Sequence, residues 1–202
     1  MISQLIDWIQ ISLNLFGQSS DRIVWNLFLA FIPLALSFYL FRVSAIRNLF
    51  WWAILLIFIA FLPNAPYILT DSIHIIELSQ DYPNWAVILI LIPQYILFIT
   101  TGFEAYVISL NKLDNYLLDL VAKKYSILIN AIVHGLCVIG IYLGRFERFN
   151  SWDLASEPKK VISTTWTDLS NFHSLLIMAI AWSIIWLLTE FIKLVNRKIG
   201  LI

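Results

Sequence analysis

Asp71, His74 and Glu77 recur at steps of three in the stretch 61–77, which reads FLPNAPYILTDSIHIIE. On a helix that spacing spreads them over about 120°, so one face presents all three. Carboxylate, imidazole and carboxylate are suitable ligands for a divalent metal such as zinc or manganese. The same set would serve as a general base with its orienting partner. The plainer alternative is a solvated or hydrogen-bonded loop face. The closer His pair with a Glu that marks zinc hydrolases is absent. Pro63 and Pro66 stand just before, bracketing Asn64 and Ala65. Each removes a backbone N–H and pushes the residue before it, Leu62 or Ala65, away from helical geometry. A helix break is therefore expected here, with the Asn64 amide as one partner for the carbonyls it frees.

A second polar cluster, RFERFNSWD, runs from Arg145 to Asp153. Arginines beside Phe and Trp at a membrane boundary can hold a lipid phosphate or a carboxylate ligand. An aromatic belt with internally paired charges is the competing reading. Arg145 and Arg148 are costly to leave unpaired at a lipid boundary. Asp71 and Asp153 are the acidic groups best placed to pair with them. The expectation is that 61–77 and 144–153 pack around one outward-facing polar pocket. Its wall would carry Asn64, Asp71, His74, Arg145, Arg148, Asn150 and Asp153. Two separate interfacial loops, each satisfied by water and headgroups, are the alternative.

The elements that must position these residues are membrane spans. Of 202 residues 60% are hydrophobic and only 13% charged, too little polar surface to coat a globule in water. The implied partner is the lipid bilayer, and a net charge of +0 gives no basis for nucleic acid as a partner. The single Cys137 permits no intrachain disulfide. The pattern predicts an all-α polytopic bundle, one membrane domain of about five spans, at roughly 23–41, 46–62, 85–103, 125–144 and 172–195. Residues 1–20 are expected as an amphipathic interfacial helix, ending in a GQSSD loop at 17–21. A second amphipathic helix is expected over 159–170. The uncharged core of the second span covers only about 21 Å, less than the roughly 30 Å of hydrocarbon. Gly140 and Gly144 form a G-xxx-G pair. His134 and Gln94 are the polar residues nearest the midplane; either His134 hydrogen-bonds Asn130 or Gln94 structurally, or it faces the bundle interior as a functional group. Glu104 and Glu190 are read as structural, at the cytoplasmic ends of spans.

With five alternating spans, eight of the 13 basic residues fall on one side: Arg42, Arg47, Lys112, Lys123, Lys124, Lys193, Arg197 and Lys198. The positive-inside rule places that side in the cytoplasm, so the N-terminus lies outside and the C-terminus inside. Both polar clusters then face outward.

FLPNAPYILTDSIH followed by GRFERFNSWD resembles the bacterial integral membrane family described as domain of unknown function 1361. The matching positions are Phe61–Tyr67, Thr70, Asp71 and His74, then Gly144–Phe146, Arg148 and Asn150–Asp153. Glu147 and Phe149 depart from the family's more usual apolar residue and Trp. The resemblance implies a multi-span protein of the bacterial inner or plasma membrane and brings no established activity. Three functional classes stay open: ligand binding or an accessory role in transport, a membrane-embedded metal-dependent or acid/base enzyme, and a structural subunit. Partners in reach are a small molecule, a lipid headgroup or another membrane protein. The absence of an internal repeat weighs against a secondary transporter.

Overall fold

The computed structural model describes residues 2–43 and 47–200. Every element among them is helical. Five stretches are long and apolar enough to cross a membrane: Gln4–Arg42, Leu49–Ser79, Asn84–Leu118, Lys123–Phe146 and Phe172–Lys198. The architecture is therefore an all-α bundle of a polytopic membrane protein.

The first crossing is carried by α1 (Ile2–Phe38), one unbroken helix. No loop separates residues 1–20 from the span, which corrects the expectation of a GQSSD turn. The serines read as a helix start instead bond within and between helices. Ser19 and Ser20 donate back to the carbonyls of Leu15 and Phe16, at 2.9 and 2.6 Å. Gln94 Oε1 lies 2.7 Å from the Ser19 hydroxyl, an alternative acceptor for its one proton, and the Gln94 amide donates to Ser20 at 3.3 Å. Gln94 is thereby paired with α1, and His134 with the Asn130 carbonyl instead of Gln94.

The start expected for the second span, near Ile46, lies outside the described residues. Within them α2 (Leu49–Phe61) opens on Asn48, whose side chain accepts from the Trp51 N–H at 3.0 Å. The helical path then continues through α3 (Asn64–Tyr67), a 3₁₀ segment (Ile68–Ser72) and α4 (Ile73–Ser79). The α-helix is interrupted at 62–63, as expected, but the backbone does not leave helical geometry. Leu62 keeps φ −55°, ψ −37°, and Pro63 φ −59°, ψ −25°, both right-handed helical. Pro63 opens a new helical segment, where a missing N–H costs nothing. Across the two prolines the hydrogen-bond register changes: the Ala65 N–H bonds the Leu62 carbonyl at 3.3 Å and the Tyr67 N–H bonds the Pro63 carbonyl at 3.0 Å. One freed carbonyl, that of Phe61, accepts from the Asn64 amide at 2.9 Å.

The third crossing joins α5 (Asn84–Ala86), a wide π turn (Val87–Leu91) and α6 (Ile92–Leu118). α6 runs on past Glu104 through residue 118. The Asn196 amide holds the Glu104 carboxylate at 2.5 Å. The fourth crossing, α7 (Lys123–Phe146), ends at the second motif; α8 (Asp153–Ser156) and the amphipathic α9 (Pro158–Ser170) follow, then α10 (Phe172–Lys198).

Side-chain pairs fix the helix directions. Trp8 meets Trp85 at 5.6 Å, Ser19 meets Gln94, and Lys112 lies 3.7 Å over the Phe38 ring, so α1 and α6 run parallel. Tyr142 donates to Ser174 at 2.9 Å and the Trp182 indole to the Ala131 carbonyl at 3.3 Å, so α10 runs against α7. The glycine pair of α7 receives the second crossing. A Cβ added at Gly140 would stand 2.7 Å from the Pro63 ring, and one at Gly144 3.2 Å from Tyr67. G-xxx-G here is the groove into which PNAPY packs.

Candidate functional site

Because Pro63 sits on Gly140 and Tyr67 on Gly144, the PNAPY segment of the second crossing packs on the C-terminal turns of α7. The turn after α7 then closes over it. Arg148 adopts φ +59°, the one non-glycine residue with positive φ among the described residues. This left-handed residue reverses the chain so that the Phe149 N–H bonds the Leu143 carbonyl at 3.1 Å. The conformation costs about 1–2 kcal/mol for a residue with a Cβ. Such strain is often held at functional sites. The next residues return to the PNAPY segment, where Asn64 donates its amide to the Ser151 hydroxyl at 2.9 Å. Asp153 accepts from the Asn150 backbone N–H at 2.6 Å and from the Ser156 hydroxyl at 3.3 Å, which opens α8. Lys160 lies 5.5 Å over the Phe149 ring and ties α9 to the turn.

Between these segments lies a cavity of about 620 Å³. Its walls come from α1, α2, α3, α7, the 148–152 turn and α9. Leu29, Ile59, Leu136, Ile139 and Leu143 make much of it apolar, and Trp25, Trp152 and Trp166 add indole faces. Asn26, Asn64, Arg148, Asn150, Ser151 and Thr165 supply the polar atoms. The volume falls within the range of small-molecule sites.

The seven residues expected on one wall divide. Asn64, Arg148 and Asn150 line the cavity. Asp71 lies behind the wall, 2% exposed, and accepts from Asn26 at 2.5 Å. Since Asn26 itself lines the cavity, Asp71 reaches the space through one intervening amide. His74 faces Asp71 across 3.9 Å with Nε2 and bonds Glu77 at 2.5 Å through Nδ1. Arg145 and Asp153 are not on the wall. The expected pairing of Arg145 and Arg148 with Asp71 and Asp153 does not form: among the described residues neither arginine takes part in an ion pair within 4.0 Å. Asp71 is met by an amide and an imidazole, and Asp153 by its own turn.

Asn26, Asp71, His74 and Glu77 form a string, not a set converging on a point. Among the described residues no group of three or more His, Cys, Asp and Glu is placed to hold a metal ion. The divalent-metal reading of Asp71, His74 and Glu77 therefore has no geometric support. Elsewhere, His134 is buried, with Nδ1 donating to the Asn130 carbonyl at 2.8 Å and its ring 4.9 Å from Trp186. Asp114 accepts from Ser126 and from Asn130, and Glu190 from Lys193 at 3.1 Å. These are local pairings between and along helices.

Two contributors were not singled out from sequence. Asn26, which interrupts the first apolar run, was visible as a polar residue in a span. The inner face of α9, with Val161, Thr165 and Leu169, was visible as an amphipathic pattern whose covering role needed three dimensions.

A family model described as "Protein of unknown function (DUF1361)" matches residues 25–189, and the chain belongs to that family. The matched range contains both motifs and every residue named on the cavity wall. No curated protein and no solved structure matches the chain.

Proposed function

We propose that this protein binds an amphiphilic ligand in the cavity between the PNAPY segment and the 148–152 turn, as a ligand-binding or transport-accessory component. The carrying observation is the wall itself: two distant motifs, joined by the Asn64–Ser151 hydrogen bond, enclose about 620 Å³ with apolar walls and a few polar groups. Apolar lining with a small number of placed polar groups is the usual form of a ligand site. The excess of basic residues at the opposite end supports a cavity that faces outward, with the N-terminus outside and the C-terminus cytoplasmic. The resemblance to bacterial proteins supports placement in an inner or plasma membrane. An acid/base enzyme has weaker support, because Asp71, His74 and Glu77 do not line the cavity.

The test is occupancy. The purified, delipidated protein is heated with a panel of single-chain and double-chain amphiphiles, and its unfolding temperature is followed. A ligand that binds the native state raises that temperature with concentration. Ala60→Phe, which fills part of the cavity, is expected to abolish the rise while leaving the protein folded. An equal rise in wild type and Ala60→Phe would refute the reading.

A further inference from the structure

We propose that the amphiphile is an anionic phospholipid of the surrounding bilayer, its phosphate held by Arg148, Ser151 and Asn150. The inference rests on the cavity being a ligand site, and it names the ligand's charge and source.

Arg148 is the one charged residue among those that line the cavity. The carboxylates nearest in sequence are turned elsewhere. Asp153 is engaged by the Asn150 N–H and Ser156, and Glu147 is exposed and off the wall. Arg148, exposed at the cavity's edge, thus brings a positive charge to its wall with no carboxylate within 4.0 Å among the described residues. Its planar donors suit a tetrahedral oxyanion, which they can bind bidentately. The Ser151 oxygen accepts from Asn64, which leaves the Ser151 hydroxyl proton free to donate outward. The Asn150 amide makes no side-chain hydrogen bond among the described residues and adds a second neutral donor.

The backbone agrees. An arginine occupies the left-handed position that a glycine would adopt freely. What Arg148 adds over glycine there is a cationic side chain on the cavity wall. Apart from Asn26, Asn64, Tyr67 and Thr165, the remaining walls are mostly hydrocarbon and indole, which a free phosphate would leave uncovered but an acyl chain would bury. Basic pockets between membrane helices bind anionic headgroups on the cytoplasmic side of other proteins, and the same pairing of guanidinium with phosphate applies at the outer face. A zwitterionic lipid would bring a second cation towards Arg148, so the anionic lipid is favoured.

The experiment uses the full chain in nanodiscs of equal phosphatidylglycerol and phosphatidylcholine. Retained lipid is counted by native mass spectrometry after transfer to detergent. Wild type is expected to retain phosphatidylglycerol over phosphatidylcholine by about tenfold. Arg148→Gly keeps the left-handed turn, so it is expected to fold and to lose the preference. Lys159→Gln removes an exposed cation of α9 off the wall and is expected to keep it. Lipid retained by wild type without headgroup preference would overturn this inference and leave the cavity reading standing. A preference that survives in Arg148→Gly, or vanishes in Lys159→Gln, would overturn it too, since the selectivity would then lie elsewhere or in surface charge. No lipid retained in either form would overturn the cavity reading along with it. Competition arms settle the source of the anion: displacement by millimolar inorganic phosphate, or by a fatty acid more readily than by phosphatidylglycerol, would overturn the phospholipid assignment.

Discussion

The Asn64 amide donates to the Ser151 hydroxyl at 2.9 Å across 87 positions of sequence, and to the Phe61 carbonyl at 2.9 Å within its own turn. One side chain therefore both partners the Phe61 carbonyl, whose usual donor, the Ala65 N–H, bonds Leu62 instead, and ties the second crossing to the turn after α7. Asn64→Ala removes both bonds and leaves the Phe61 carbonyl without that partner. We expect a loss of ~1–3 kcal/mol, the cost of an unsatisfied buried polar group. Ser151→Ala removes only one bond and should cost less. Combined, the two should be less than additive in detergent unfolding.

The glycines of α7 separate close packing from mere helix propensity. Alanine at Gly140 places a Cβ 2.7 Å from the Pro63 ring, and overpacking of this kind costs ~1–3 kcal/mol. Alanine at Gly135 meets nothing within 4 Å, so it should be neutral or stabilise by up to ~1 kcal/mol. A thermal unfolding comparison of the two variants checks the groove directly. Equal behaviour would mean that PNAPY does not pack on α7.

Much of the architecture was legible because the bilayer restricts the choices. Long uncharged runs can only be helices there, and five such runs gave the bundle. Asn64 was legible as a partner for a freed carbonyl because proline chemistry is local. What failed was nonlocal or permissive. GQSSD carries helix-start residues, yet Ser19 and Ser20 spend their hydroxyls on helix carbonyls and on Gln94. Pro63 was read as pushing Leu62 away from helical geometry, but the opening of a helical segment tolerates it. Charge complementarity suggested Asp71 and Asp153 as the partners of Arg145 and Arg148. The fold instead offered Asp71 the nearer Asn26, on a helix sequence could not place beside it. The covering role of α9 was hidden for the same reason.

Arg148 tests backbone strain apart from binding. At φ +59° a glycine is unstrained, so Arg148→Gly should hold or raise the unfolding free energy, by up to ~1 kcal/mol. Arg148→Val places a β-branched residue in the same conformation and should destabilise. Chemical unfolding of the two variants should therefore move in opposite directions.

Asn26 and Asp71 should behave as one unit. The carboxylate is 2% exposed and Asn26 donates to it at 2.5 Å. Asn26→Leu strips that donor from a buried acidic group. It should cost ~1.5–3 kcal/mol, typical for a hydrogen bond to a charged partner. Asp71→Leu in the Asn26→Leu background should restore part of the loss, because the unpaired acid is gone. Additive losses in the double variant would show that the pair is not coupled.

The most direct measurement of the shared wall is cross-linking in the native membrane. Asn64→Cys and Ser151→Cys are introduced together in a Cys137→Ala background and treated with a short bifunctional thiosulfonate. A wall built jointly by the PNAPY segment and the 148–152 turn yields an intramolecular link in high proportion. Two cysteines that each label singly but never link would place the motifs apart and contradict the shared cavity.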